Sequence, residues 1–376
     1  VRVLSIHADY ACRHTGACCS SGWDVPVEPT VEDGLRRALG DGSLRLPGET
    51  SDPFRPVSGL PDGARVVLCH DEGGRCVFLE TTGGNLCAVH RQLGPDRLAA
   101  ACRDFPRVAT LGPRGVSLSL SHYCPTAAGL LFGEDTGLAI REDAPAFPPS
   151  WPYEGLDARK GPPPLLRPGV LIDWASHERW EAWAVEILAA EERTPEEAVA
   201  TLSRAAEEAR GWTPDVGAFP DFLEGVLAVP RTVPRVWPPF ADCRRAWDDA
   251  AAAVPPPHRA PSLPEGLEEA DARWVPPAWS GLAPPVCRYL AARAFASWCA
   301  LQGQGLRTTV HGVRAALLVL RVEAARVCVG ARAALDTARL REAIRAADLL
   351  LVHLAAPEAL ARRWSAVERG GPPPAP

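Results

Sequence analysis

The segment ACRHTGACCSSGW (Ala11–Trp23) carries Cys12, Cys18 and Cys19 within eight positions, with Trp23 four residues further on. Adjacent cysteines rarely bond to each other, because disulfide geometry strains the peptide between them. Each of the pair therefore needs another partner, either a distant cysteine or a metal. Eight of the twelve cysteines precede residue 125: Cys12, Cys18, Cys19, Cys69, Cys76, Cys87, Cys102 and Cys124. The other four, Cys243, Cys287, Cys299 and Cys328, are scattered through apolar patterns and read as small core residues. In a reducing compartment such clustering points to metal ligation or redox chemistry rather than to structural disulfides.

A second group follows, made of Cys76, Cys87, His90, Cys102 and Cys124. Cys87 and His90 stand three apart, so on a helix they share a face and can reach one ion. Cys124 is followed by Pro125, a pair that also closes bacterial ferredoxin motifs. Several thiolates converging on one place need neutralising charge, which a metal ion or an iron–sulfur cluster supplies. Some familiar sites are excluded by spacing. There is no Cys-x-x-Cys knuckle of a zinc finger, no three-cysteine loop of a radical S-adenosylmethionine (SAM) enzyme, no Gly-rich dinucleotide fingerprint and no P-loop. A mononuclear zinc site takes four ligands. Seven cysteines with His90 exceed that, so a polynuclear centre or two separate metals is expected.

The elements that must position these residues are short. GARVVLCH and GRCVFLE read as strands joined by the turn DEGG. GVSLSLSHYC alternates, placing Val116, Leu118, Leu120, His122 and Cys124 on one strand face and Ser117, Ser119 and Ser121 on the other. GPDRLAAACRDFP reads as one short helix with Pro95 in its first turn and Pro106 at its stop, which aims Leu98 and Cys102 inward together. A proline-dense stretch from Ala144 to Gly169 reads as a linker. From Asp173 the pattern is helical, with a capping box at Thr194 and Glu197 and a stop at Gly211. A second proline-rich region, Val254–Pro277, interrupts the helices. The expected class is mainly α, of α+β type: a cysteine-cluster domain with short strands over 1–143, a linker over 144–172, a larger helical domain over 173–369 on which the first packs, and a disordered tail over 370–376.

The chain has 376 residues, is 47% hydrophobic and carries a formal charge of −6. That balance argues against a general nucleic-acid binder, which needs a basic face for phosphates. The apolar runs AALLVL and DLLLVHLAA fall short of the roughly 20 residues that span a bilayer. VRVLSIHADYAC has no long apolar stretch and no small-residue cleavage site, so a cytoplasmic location is expected.

Four motifs, DYACRHTGACCSSGWDV, GRCVFLETTGGNLCAVH, LAAACRDFPRV and GVSLSLSHYCPTAAGLL, resemble in order and spacing the flagellin lysine N-methylase family, within the wider group of zinc- or iron-chelating cysteine-cluster proteins. The resemblance covers about residues 8–132. It implies an iron–sulfur cluster, or zinc or iron ions, held by Cys12, Cys18, Cys19, Cys76, Cys87, Cys102 and Cys124, with Cys69 outside the pattern. It also implies methyl transfer from SAM to lysine amines of a protein substrate such as flagellin. That reaction needs a deprotonated amine, an in-line methyl sulfonium and exclusion of water. Asp104, His90 and His122 are the acid–base candidates beside the cysteines, and Arg103 is a candidate partner for the carboxylate of SAM. No SAM-binding motif is recognisable, which keeps two other readings open: a non-catalytic zinc- or iron-binding protein, and a redox protein. Trp23 is expected to pack over the metal centre and shield it from water.

Overall fold

The computed structural model describes residues 1–366, apart from 61–62, 82–83, 134–136 and 257. The described residues are about 51% helix and 11% strand, the mainly-α, α+β class that the sequence pattern implies. No described helix is long and apolar enough to cross a membrane.

The chain folds as two compact units whose limits differ from the expected cut at residue 143. One contains Ala11–Arg107 together with Cys124–Thr126. The other contains Val1–Tyr10, Val108–Tyr123 and Ala127 onward. The physical reason is strand pairing. Arg2–Leu4 pairs in parallel with Gly115–Leu120, in register Val3↔Leu118, which draws the first residues into the helical unit. The tail expected over 370–376 lies outside the described residues.

In the cysteine unit, Pro26–Val27, Val66–Leu68 and Phe54–Pro56 form a three-stranded antiparallel sheet with Val66–Leu68 central. The helix Pro29–Asp41 starts with Pro29 in its first turn and ends at Gly42, in the left-handed region. It buries Leu35 and Ala38 in a core with Val25, Val27, Phe54 and Phe78. The predicted GRCVFLE strand is only partly formed: Cys76 makes an isolated bridge with His70, and Leu79–Glu80 pairs with Leu86–Cys87. The predicted helix over GPDRLAAACRDFP is broken in two. A single 3-10 turn spans Pro95–Arg97, Leu98 is extended, and the helix resumes over Ala100–Asp104.

In the helical unit a five-stranded sheet runs in the order Gly155–Asp157, Arg107–Gly112, Gly115–Leu120, Arg2–Leu4, Ile140–Arg141. The proline-dense stretch is therefore not a plain linker. Gly155–Asp157 extends this sheet beside Ala109–Leu111, and Leu165–Arg167 pairs with Val170–Leu171. Likewise Val254–Pro277 contains the helix Leu267–Trp274. The long helix Leu306–Ala331 is the centre of this unit, buried nearly all round, with Trp174–Ala189, Pro195–Arg210, Phe240–Ala251, Ala283–Ala294 and Thr337–Asp348 sharing its apolar core. The capping box at Thr194 and Glu197 is present in both directions. On the serine face of Gly115–Leu120, Ser119 is buried too and donates to the Ala292 carbonyl at 3.0 Å. The strand ends at Leu120, so alternation does not carry through to Cys124.

Candidate metal centre

Five cysteines from four separate segments meet in the core of the Ala11–Arg107 unit: Cys18, Cys19, Cys76, Cys87 and Cys102. A 3-10 turn over Ala17–Cys19 delivers the vicinal pair. Gly16 precedes it at φ +72, where a methyl group would meet Asn85 Cβ at 2.6 Å, so glycine is required both for the turn and for the close approach. Cys76 is fixed by donating its N–H to the Cys19 carbonyl at 2.7 Å. Cys87 ends a strand, pairs with Leu79 and caps the helix Ala88–Leu93. It lies outside that helix, so Cys87 and His90 do not share a helical face as their spacing suggested; His90 instead sets its ring against that of His14, centroids 5.1 Å apart. Cys102 sits on Ala100–Asp104. Trp23 packs on the same core and against Phe105.

The thiols act on one another. Cys18 Sγ and Cys19 Sγ are 3.9 Å apart. Cys19 also shares a hydrogen bond with Cys87. Its proton is held strongly by these two sulfurs, and burial adds to the effect. Cys18 is lowered by the hydrogen bond from Cys19. Cys87 is lowered to about 7 by the same donor, helped by the backbone N–H groups of His90 and Val89. Burial pushes Cys76 up to about 12, with the charges of Cys87, Cys18 and Cys69 adding to it. Burial likewise pushes Cys102 well up, with Cys76, Cys18, Cys87 and Glu28 reinforcing it. The charges acting most on this pocket are thus other thiols and carboxylates. Cys19, Cys76 and Cys102 therefore hold their protons unless a cation enters, while Cys18 and Cys87 ionise more readily.

This donor set suits a soft metal. Sulfurs bound at about 2.3 Å to a tetrahedral ion lie about 3.8 Å apart, the spacing of the Cys18–Cys19 pair. Among the described residues no three His, Cys, Asp or Glu side chains form a ready coordination shell, so ligation requires thiols to turn onto the ion.

The remaining expected ligands are placed differently. Cys12 is exposed, its sulfur accepting the His14 N–H at 3.4 Å. Cys124 is buried just ahead of the helix Pro125–Leu130, and Cys124–Thr126 belongs to the cysteine unit although the chain on both sides does not. Cys69 is closer to the group than the motifs suggested: its carbonyl accepts the Val77 N–H and its charge acts on Cys76. That proximity comes from the DEGG turn between the two strand patterns, which bridges His70 to Cys76. Cys243, Cys287, Cys299 and Cys328 are buried in the helical unit with thiols raised to about 11, 12, 11 and 11, chiefly by burial, as inert core residues are.

The catalytic candidates fall in different units. Arg103 pairs with the buried Asp104 at 3.3 Å inside the cysteine unit. His122 belongs to a buried polar cluster of the helical unit. Its backbone N–H and ring Nδ1 meet Asp348 Oδ2 at 2.6 and 3.2 Å, and its Nε2 lies 3.1 Å from His7 Nε2. Tyr289 donates to Asp348 Oδ1 at 3.0 Å. Burial opposes the Asp348 charge, yet the hydrogen bond and charge of His122 keep its carboxyl below the usual range. Sequence reasoning missed His7, Tyr289 and Asp348; the available signal was an aspartate opening the apolar run DLLLVHLAA. Comparison of the chain with protein-family models, with curated proteins and with solved structures finds no match.

Proposed function

We propose that the Ala11–Arg107 unit binds a soft metal ion or an iron–sulfur cluster through Cys18, Cys19, Cys76, Cys87 and Cys102, with Cys12 and Cys124 as the further ligands that the motif resemblance implies. The supporting observation is the convergence of five thiols in one apolar core. A bound metal supplies the positive charge that lets these thiolates share that core. Anaerobic purification with metal and sulfide analysis tests this reading. Iron with acid-labile sulfide, or stoichiometric zinc, is expected; a metal-free preparation overturns it.

Methyl transfer from SAM to a protein lysine, with flagellin as the model substrate, rests on the resemblance of the four motifs. Titration of the holoprotein with SAM by calorimetry tests it, and absence of heat at millimolar SAM removes it. A non-catalytic metal-binding role is the second reading. It is favoured by the engagement of Arg103 with Asp104, which occupies the side chain expected to take the SAM carboxylate.

A further inference from the structure

A line of direct contacts runs from the buried thiols to the surface of the Ala11–Arg107 unit. Cys19 is buried and shares a hydrogen bond with the half-buried Cys87. Cys87 Sγ also accepts the backbone N–H of His90. The His90 ring meets the His14 ring edge-on, and the His14 N–H donates to the sulfur of Cys12 at 3.4 Å. Cys12 and His14 are exposed, and His90 is half-buried. Two imidazoles and one exposed thiol thus adjoin Cys87, all of them less buried than Cys19.

Geometry makes this group a donor set. Imidazoles bound at about 2.0–2.1 Å to a tetrahedral ion place their ring centroids about 3.2 Å from it, and so about 5.2 Å from each other. The His14 and His90 centroids are 5.1 Å apart. His14 is also held at φ +50, in the left-handed region that non-glycine residues adopt sparingly, with its N–H on the Cys12 sulfur. The neighbouring cation Arg91 is neutralised by Glu80 at 2.6 Å. As in the core, side chains must turn to close on an ion. We propose that Cys12, His14 and His90 hold a second divalent ion of the zinc class at the edge of the thiol group, with Cys87 as a thiolate shared between the two sites. Two imidazoles and two thiolates complete the four ligands that zinc takes. The assignment rests on the proposed thiol centre. It moves Cys12 out of that centre and leaves Cys18, Cys19, Cys76 and Cys102, with the shared Cys87, for the inner site.

Zinc is the probe, and zinc and iron per chain are the readout. Full-length protein is equilibrated with zinc under reducing, anaerobic conditions and freed of excess by gel filtration. The parent should hold one zinc more than the His14→Gly/His90→Ala double variant, with unchanged circular dichroism. Glycine suits the left-handed position of His14. If the double variant fails to fold, Cys12→Ser at an exposed position reads the same loss of one ion. In the parent the outer ion should leave first on addition of a chelator, in a phase that the variants lack. Equal zinc in the parent and in these variants overturns the inference and leaves the thiol centre standing. A parent that holds no metal removes both.

Discussion

Cys19 is the residue on which the cysteine unit turns, because its thiol bridges two other sulfurs and its carbonyl fixes Cys76. Cys19→Ser should therefore remove at least half of the bound metal and lower the melting temperature of the unit. Cys243→Ser should leave metal content unchanged, since Cys243 is a lone buried thiol of the helical unit. Metal analysis of both variants separates ligand from core cysteine. In the other unit, Asp348 accepts from the His122 backbone, the His122 ring and Tyr289 while fully buried. Asp348→Asn takes away the charge that these donors satisfy and should cost about 3 kcal/mol in urea unfolding. A loss under half of that would show the cluster to be loosely held.

At the scale of elements, what was readable in the sequence was local. The capping box at Thr194 and Glu197 depends on residues three apart, and it forms as expected. Thr194→Ala should destabilise by about 1 kcal/mol, measured by denaturant unfolding. Cysteine clustering was also readable, because the residue type itself carries the signal. What failed depended on distant partners. Proline density marked Ala144–Gly169 as a linker, but the parallel pairing of Gly155–Asp157 with Ala109–Leu111 is settled by a strand some forty residues earlier. The Cys87–His90 spacing suggested a helical pair, but the pairing of Cys87 with Leu79 holds it outside the helix. The tie from His122 to Asp348 spans 226 residues and has no local signature at all. Gly16 is the element-level test of the cysteine turn. Gly16→Ala forces a left-handed alanine and a clash with Asn85, so it should displace Cys18 and Cys19 and reduce metal content; full metal retention would show that the turn is dispensable.

At the scale of the whole molecule, acid should weaken the fold. His353 is lowered to about 4 from 6.5, mainly by burial, and burial lowers His7 and His177 as well. Between those two values the unfolded chain binds the His353 proton and the folded chain does not. The contribution is complete above pH 6.5 and is lost as pH falls toward 4, by on the order of 3 kcal/mol for His353. Urea midpoints at pH 7.5 and 4.5 check the sign, and equal midpoints would contradict it. The division into two compact units bears on metal removal in the same way. If the thiols hold a shared metal, chelation should lower one calorimetric transition and spare the other.

The most direct measurement is metal and sulfide content per chain of anaerobically purified protein, for the parent and for the Cys18→Ser, Cys87→Ser and Cys102→Ser variants. A shared thiolate centre predicts bound zinc, or iron with sulfide, in the parent and its loss in each variant. Metal-free parent protein with all five thiols open to alkylation, or undiminished metal in all three variants, would contradict it.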